Sequence, residues 1–177
     1  MSFTPSDHPF VFFGTPELAT VVLDELEAAG LVPTLITTQP DRPRGRGRAL
    51  APPPVKIWAH ERGIDVLQPE NLRDDPALDV LLNSEWSYFV VAAFGMLIPK
   101  RLLEHPAHGC LNVHPSLLPK YRGSTPVQSQ ILADDPSCGV SIILLDEEVD
   151  HGPVLAQASI SPEEWPLRAS VLNGILW

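Results

Sequence analysis

Amide, imidazole and carboxylate side chains at three positions offer the components of an acid–base site. In the apolar segment CLNVH at 110–114, strand alternation sends Asn112 and His114 to one face, about 7 Å apart. Asp150 ends the turn DEEVD after a second apolar segment, where its carboxylate could orient the imidazole of His114. From spacing alone the alternatives stay open: the polar pair could satisfy neighbouring backbone groups, and the acidic turn could simply face solvent.

The spacing of other residues argues against metal and dinucleotide sites. A short stretch holds four groups that bind metals in other proteins, namely His105, His108, Cys110 and His114. They lack the paired Cys-x-x-Cys or His-Glu-x-x-His spacing of a metal site, so we expect no metal. The segment FFGTPE at 12–17 stands where a dinucleotide fingerprint would begin. It has one glycine instead of three, which disfavours NAD binding.

The N-terminal part of the chain predicts a strand, a helix and a second strand. Residues 10–13 form an apolar run that ends at Gly14. Thr15 is suited to cap a helix whose apolar side chains recur at helical spacing until Gly30 ends it. Residues 31–38 form the next apolar run. This order is that of a βαβ unit, whose two strands are parallel.

Similar patterns along the remaining sequence predict one α/β domain over residues 1–177. Further strands are expected at 64–67, 88–93, 110–114, 139–145 and 154–160, and helices at 55–62, 76–83, 99–103 and 126–133, before an amphipathic C-terminal stretch that packs on the core. Residues 39–54 lack apolar periodicity and are expected to form a long exposed loop. The predicted fold is an open, mainly parallel twisted sheet flanked by helices, Rossmann-like, with ligands at the carboxyl ends of the strands.

Charge is distributed unevenly along the chain. The formal net charge is −10, which on average repels nucleic acid. Four of the nine arginines nevertheless lie within seven residues of the predicted loop, at Arg42, Arg44, Arg46 and Arg48. A guanidinium group binds two phosphate oxygens at once and stays charged, so this loop is a candidate for phosphate contacts. The alternative is a solvated, flexible loop.

Composition argues against several classes of protein. A hydrophobic content of 44% is that of a folded domain, and the longest apolar runs are too short to span a bilayer. The start MSFTPSDHPF lacks the basic and long apolar stretches of a secretory leader. Two cysteines give no disulfide framework. We therefore expect a cytoplasmic protein.

Five segments carry a family resemblance: FFGTPELA, QPDRPRGRGR, VVAAFGMLIPK, GCLNVHPSLLPKYRGSTPVQ and GVSIILLDEEVDHGPVL. Together, from about Phe10 to about Ser161, they resemble the N-terminal catalytic domain of the methionyl-tRNA formyltransferases, a branch of the folate-dependent formyltransferase family. NVHPSLLPKYRG is highly specific to that family, and FGTPE with PDRPRGRG narrows the branch. The resemblance implies transfer of a formyl group from 10-formyltetrahydrofolate to the amine of methionine carried on initiator tRNA.

The resemblance also implies roles for individual residues. The family's catalytic trio matches Asn112, His114 and Asp150. The amide and imidazole would stabilise negative charge on the formyl oxygen, and the carboxylate would orient His114 and help remove the amine proton. The folate pocket would be lined by Phe94, Gly95, Leu97, Ile98, Ser116, Leu117, Leu118 and Pro119. The loop arginines Arg42, Arg44, Arg46 and Arg48 would contact the tRNA acceptor stem, Arg42 above all.

The chain departs from the family pattern in its acidic turn and in its length. Where family members commonly show D-x-G-x-D-T-G, Glu148 replaces the glycine and His151 the threonine. The family normally continues into a smaller, basic, tRNA-binding domain, so we expect an ordinary member to extend beyond Trp177.

Three other functions remain as alternatives. Two are enzymatic: formyl transfer to another amine, such as an amino sugar on a nucleotide, and hydrolysis of formyl-folate. The third is an inactive domain that binds folate or RNA.

Overall fold

The computed structural model describes residues 8–44 and 49–177, and the chain divides into two compact units, residues 1–110 and 111–177. The strands are β1 (Phe10–Gly14), β2 (Leu35–Thr37), β3 (Arg42–Arg44), β4 (Ala49–Ala51), β5 (Asp65–Leu67), β6 (Tyr88–Ala92), β7 (Cys110–His114), β8 (Cys138–Leu144) and β9 (Val154–Ile160). The helices are α1 (Glu17–Ala28), α2 (Pro54–Glu61), α3 (Asp79–Leu82), α4 (Lys100–Leu103), α5 (Pro126–Leu132) and α6 (Ala169–Leu176), and a 3-10 turn, Pro76–Leu78, precedes α3. Each predicted strand and helix is present, with ends that shift by a few residues.

A parallel sheet in the order β5–β2–β1–β6 forms the centre of the first unit. All five residues of β1 are buried, and Phe12, Phe13 and Phe89 are fully excluded from solvent. The rings of Phe13 and Phe89 pack with their centroids 5.0 Å apart. Strands covered on both faces carry continuous apolar runs, which is why PFVFF and YFVVAA show no alternation.

The first helix ends as the sequence predicts but begins differently. Gly30 has a φ of +78°, and the N–H of Leu31 donates to the carbonyl of Leu26 at 2.8 Å, which is a glycine-terminated helix end. The prediction that Thr15 caps the helix is wrong, because the N-cap is Pro16, which makes no side-chain hydrogen bond. The hydroxyl of Thr15 instead donates to the carbonyl of Phe94 at 3.0 Å. A partner 79 residues away in sequence has replaced the local one.

The segment predicted to be a long loop contains a short antiparallel hairpin. Arg42 pairs with Ala51 and Arg44 with Ala49, so β3 and β4 form a two-stranded sheet of their own. The prediction of a continuous loop is therefore wrong for its middle part. Neither RPR nor ALA alternates apolar with polar residues, so the sequence gives no strand signal here.

The second unit is an antiparallel sheet of β7, β8 and β9 with two helices packed on it. His114 pairs with Ser141 and Leu111 with Leu144, and β9 then pairs with β8. A small core joins α5, β8 and α6 through Val127, Cys138, Leu172 and Leu176. The amphipathic C-terminal stretch thus packs on the core, as predicted. The α/β class is confirmed, with the parallel strands in the first unit and antiparallel strands in the second.

Candidate active site

The carboxylate of Asp150 lies at the centre of a polar cluster within the second unit. Its Oδ1 accepts a hydrogen bond of 3.3 Å from Nδ2 of Asn112, and its Oδ2 lies 3.5 Å from Nδ1 of His114. Asn112 and His114 are two residues apart on β7, so their side chains leave the same face of the strand. The side chains of His114 and Asp150 are 5% and 11% exposed. The structure therefore brings the three predicted residues into one cluster, in which the imidazole and the carboxylate are nearly buried.

Two backbone groups from the segment after β7 complete this cluster. The N–H of Gly123 donates to Oδ2 of Asp150 at 2.8 Å, and Nε2 of His114 lies 3.0 Å from the carbonyl oxygen of Tyr121. Because a carbonyl only accepts, the hydrogen-bond network assigns a proton to Nε2, and the imidazole is held between Tyr121 and Asp150. Sequence reasoning missed both groups, since every residue carries a backbone amide. The one available signal in the sequence was the glycine at position 123, because a backbone φ such as its +97° is a conformation that favours glycine.

A tight turn between β8 and β9 presents Asp150. Its backbone has a φ of +49°, in the left-handed region that Asp tolerates better than most residues. At Gly152 a Cβ atom would overlap the carbonyl oxygen of Leu144, so no side chain fits. Oδ1 of Asp146 accepts a hydrogen bond of 2.9 Å from the N–H of Glu148, which closes the start of the turn.

Both departures from the family's acidic turn fit this geometry. The backbone of Glu148 lies outside the left-handed region, so its side chain causes no strain there. Nδ1 of His151 lies 3.0 Å from Oδ2 of Asp146, and this hydrogen bond holds the pKa of Asp146 below its usual value. Because both side chains are exposed, the pair adds little stability, but it joins the two ends of the turn that carries Asp150.

Polar side chains from β8 and β9 fix the loop that follows His114. The hydroxyl of Ser141 donates to the carbonyl of Ser116 at 2.6 Å and accepts from the N–H of Leu118 at 3.1 Å. Nε2 of Gln157 donates to the carbonyl of Leu118 at 2.9 Å. Sequence reasoning missed Ser141, although a serine within the apolar strand GVSIILL marks a buried position that needs partners.

The residues expected to line a folate pocket differ in what they offer. In the first unit, Phe94 is buried and packs edge-on against Phe13, with centroids 5.3 Å apart, so its ring has little surface left for a ligand. Gly95 has a φ of +81°, and the side chain of Leu97 is 79% exposed. Ile98 is partly buried. In the second unit, Ser116 and Leu118 are buried, Leu117 is partly buried and Pro119 is exposed.

The predicted phosphate-binding arginines lie on the β3–β4 hairpin or outside the described residues. Arg42 is exposed at the start of β3. The backbone of Arg44 ends that strand. Arg46 and Arg48 fall in the segment 45–48, outside the described residues. The described part of the hairpin therefore presents one guanidinium group to solvent.

An ion-paired carboxylate holds the segment that carries Tyr121. Oδ2 of Asp135 accepts hydrogen bonds of 2.8 Å from Nζ of Lys120 and from the hydroxyl of Tyr121, and its Oδ1 accepts from the N–H of Ser137. These donors, Lys120 first, hold the pKa of Asp135 far below its usual value. The same contact raises the pKa of Tyr121. Because the carbonyl of Tyr121 contacts His114, Asp135 is linked to the candidate site through Tyr121.

Residues 8–44 and 49–177 provide neither a metal-binding cluster nor a membrane-spanning helix. No three His, Cys, Asp or Glu side chains in these ranges are arranged to hold a metal ion. Every helix in the same ranges is too short or too polar to cross a membrane.

Comparisons with known proteins identify a family and its members. The family model for formyl transferases matches residues 9–163. Methionyl-tRNA formyltransferase of Dehalococcoides mccartyi is 47% identical over 165 residues, which are 92% of this chain and 53% of that protein. The enzymes of the same name from Chloroflexus aggregans and Thermus thermophilus are 49% and 48% identical over 85% and 86% of this chain, and 48% and 50% of their own length. The chain thus spans about half the length of the curated relatives it matches.

Solved structures of other formyltransferases share the fold. Phosphoribosylglycinamide formyltransferase from Bacillus halodurans superposes with a TM-score of 0.72 at 21% identity, over 95% of this chain and 87% of that one. A sugar N-formyltransferase from a Shewanella species gives 0.67 at 16% identity, over 96% of this chain and 63% of that one. At such identities the likeness establishes the fold alone.

Proposed function

The chain belongs to the formyl transferase family, and we propose that it transfers a formyl group from 10-formyltetrahydrofolate to the amine of methionyl-initiator tRNA. The observation that carries the proposal is the Asp150-centred cluster in a chain nearly half identical to methionyl-tRNA formyltransferases. We further propose that residues 1–177 act as one catalytic domain. Since initiator tRNA is used in the cytoplasm, the activity belongs there.

Asn112 and Asp150 are suited to the two charges that change during formyl transfer. The amine nitrogen forms a bond to the formyl carbon, the bond from that carbon to the folate nitrogen breaks, one proton leaves the amine and one joins the folate nitrogen. Nδ2 of Asn112 gives one hydrogen to Asp150 and retains a second, which can donate to the formyl oxygen as negative charge grows there. Asp150 keeps unused lone pairs that can accept the amine proton, directly or through water.

His114 works within this cluster through its fixed orientation. Its Nδ1 faces Asp150 and its Nε2 faces the carbonyl of Tyr121, so the ring cannot turn without losing a contact. With a proton on Nδ1 as well as on Nε2, the imidazolium would support the negative charge of Asp150 and stabilise the developing oxyanion electrostatically. Direct contact between Nε2 and the formyl oxygen would require Nε2 to release the carbonyl of Tyr121.

The formyl donor would be held by apolar surface and backbone groups. The exposed side chain of Leu97 and the partly buried Ile98 offer apolar surface that a pterin ring would cover. In the second unit, Ser141 and Gln157 hold the carbonyl of Ser116 and both backbone groups of Leu118, so that segment is ordered before any ligand arrives. Because the ring of Phe94 is buried, this residue would contribute to donor binding through its backbone and not through its side chain.

The acceptor distinguishes this proposal from its alternatives. We propose that Arg42 and the neighbouring loop arginines Arg44, Arg46 and Arg48 contact phosphates of the tRNA, because arginine binds phosphate bidentately. Formylation of a nucleotide-linked amino sugar would not need a row of arginines so close together in an acidic chain. Hydrolysis of formyl-folate would need no acceptor at all.

Transfer assays with three acceptor conditions test the proposal. The 177-residue chain is given 10-formyltetrahydrofolate with methionyl-initiator tRNA, with a nucleotide-linked amino sugar, or with neither, and formylated product and released formate are both measured. We expect formylation of methionyl-tRNA alone, and loss of about 100-fold or more in kcat for Asn112→Ala. Preferential formylation of the sugar, or formate release without any acceptor, would move the assignment to an alternative. Binding of tRNA or folate without any turnover would indicate the inactive domain.

A further inference from the structure

The base of the β3–β4 hairpin is fastened by three polar side chains. Oδ1 of Asp41, the residue before β3, accepts hydrogen bonds of 2.8 Å from Nζ of Lys56 and from Nε2 of Gln68. Its Oδ2 accepts from the same Lys56 ammonium at 2.9 Å. Lys56 belongs to α2, and Gln68 follows β5 directly. We call Asp41, Lys56 and Gln68 the hairpin anchor.

Within residues 8–44 and 49–177, little buried surface holds the hairpin in one orientation. Arg42, Pro43, Ala49 and Leu50 are all exposed, the last with 71% of its surface accessible. Two strands of three residues form a separate sheet, and a two-stranded hairpin without a buried apolar face is marginal in water. The direction in which Arg42 points therefore depends on the contacts made at the base of the hairpin.

The anchor is built more strongly than a surface ion pair. The Lys56 side chain is 20% exposed and that of Asp41 34%, and Asp41 has two kinds of donor on one carboxylate. The hydrogen bond from Gln68, followed by that from Lys56, holds the pKa of Asp41 below its usual value. Charge-assisted hydrogen bonds of this length are among the stronger ones in proteins.

The same glutamine joins the anchor to the carboxyl edge of the parallel sheet. Nε2 of Gln68 also donates to the carbonyl of Gln39 at 2.9 Å, and Nε2 of Gln39 donates to the carbonyl of Phe94 at 2.9 Å. A Cβ atom at Gly95 would approach that Gln39 nitrogen to 2.7 Å, so the glycine leaves room for the contact. Hydrogen bonds thus run without interruption from the segment at 94–95 to the base of the hairpin.

We propose that Gln68, with Lys56 and Asp41, is a positioning residue that orients the Arg42 hairpin toward the phosphates of the tRNA acceptor end. The inference rests on the proposed function, because it takes the hairpin to be the tRNA contact. Gln68 acts through Asp41 and touches no substrate itself. An unanchored hairpin would still carry its charge, but it would pay the entropy of ordering when the tRNA binds.

The variant Gln68→Ala tests the anchor without changing the charge of the protein. Two strong hydrogen bonds are lost, and we expect the KM for methionyl-tRNA to rise about tenfold, with kcat and the KM for the formyl donor unchanged. Gln68→Glu, which keeps the size but removes the donor and faces Asp41 with a second carboxylate, should have at least the same effect. The matched control is Gln128→Ala, on the exposed side of α5, which should leave all constants unchanged.

A double-mutant cycle with Arg42→Ala separates this inference from the proposed function. If Gln68 acts by orienting Arg42, the double variant should show the tRNA KM of Arg42→Ala alone. Fully additive effects, or a normal tRNA KM for Gln68→Ala beside a raised one for Arg42→Ala, would overturn the anchor and leave the proposed function intact. A normal tRNA KM for Arg42→Ala itself would instead show that the hairpin does not contact tRNA. The premise that both proposals share would then be lost. A fall in kcat and in thermal stability, with the tRNA KM unmoved, would show a purely structural role.

Discussion

At the scale of single residues, one carboxylate organises the candidate site. The carboxylate of Asp150 accepts hydrogen bonds from the N–H of Gly123 and the amide of Asn112, and it lies close to Nδ1 of His114. Its side chain is only 11% exposed. A buried carboxylate requires such donors, because leaving it unpaired would cost several kcal/mol. The contact with Asp150 also sets the position of the Asn112 amide, which we propose donates to the formyl oxygen. Structure and proposed chemistry thus depend on the same contacts.

Replacing Asp150 by asparagine should separate these contacts from the carboxylate's chemistry. Asparagine keeps the size but loses the charge and one acceptor, so we expect kcat to fall by about 100-fold or more while the protein still folds. Steady-state formylation and a thermal melt measure the two effects. Glu148→Gln, in the same turn, is the charge-matched control and should retain activity. A variant Asp150→Asn with near-normal kcat would exclude a proton-transfer or electrostatic role.

Asp135 gives a second residue-scale prediction, one that depends on pH. Its folded pKa lies below the ordinary 3.8, so its contribution to stability is complete above that value and is lost as pH falls through the folded pKa. Asp135→Asn should therefore lower the melting temperature at pH 7, and the difference from the parent should shrink below about pH 4. Melts between pH 7 and 2.5 measure it, with the exposed Asp74→Asn as control. A difference that stays constant over this range would contradict the assignment.

Part of the site could be predicted from single residues and part could not. Alternation placed Asn112 and His114 on one face, because strand geometry fixes the direction of successive side chains. Asp150 could be singled out because it follows a strand in a short turn. The carbonyl of Tyr121 and the N–H of Gly123 could not, since every residue has these groups and only the folded path of the segment selects two of them.

At the scale of elements, close backbone approach fixes how β8 meets its neighbours. At Gly139, a Cβ atom would overlap the carbonyl oxygen of Ala158 on β9 and the side chain of Leu117. No such contact surrounds Gly174 in α6, where a Cβ atom would meet nothing within 4 Å. Position 139 therefore has no space for a side chain, whereas position 174 has space for one.

Alanine substitutions at these two glycines should change stability in opposite directions. Gly139→Ala forces the strands or the Leu117 segment apart and should cost about 1–3 kcal/mol. Gly174→Ala fills open space in a helix and should stabilise by about 0.5–1 kcal/mol, since alanine loses less backbone entropy than glycine. Denaturant unfolding gives both values. Equal changes for both variants would show that strand packing does not set the requirement at position 139.

Elements bounded by local signals were predicted, whereas those defined by distant partners were not. The end of α1 at Gly30 follows from a glycine at a left-handed position, which is a local property. The start of the same helix was wrong, because the Thr15 hydroxyl bonds to Phe94 and not to its own helix. The β3–β4 hairpin was missed for the same reason: its base is held by Lys56 and Gln68, and its strands carry no periodic pattern of their own.

At the scale of the whole molecule, net charge opposes the proposed substrate. The chain carries −10, and tRNA is a polyanion, so the average interaction is repulsive. Binding must then come from local phosphate contacts, which release counterions and are therefore sensitive to salt. The four arginines between positions 42 and 48 are suited to such contacts, and the hairpin anchor gives the strand Arg42–Arg44 a fixed base.

The dependence of tRNA affinity on salt measures how many of these contacts form. Each phosphate contact should contribute about 0.7–0.9 log units of affinity per log unit of salt. Arg42→Ala should flatten the slope by about one contact's share, and replacement of all four loop arginines should flatten it further. Affinity for initiator tRNA is measured between about 50 and about 300 mM salt, a roughly sixfold range that includes physiological ionic strength. The donor KM serves as an internal control and should not change, because folate binding does not use the hairpin. Should the quadruple variant keep the parental slope, the arginines would not be the phosphate contacts, and the salt dependence would have to arise elsewhere on the chain.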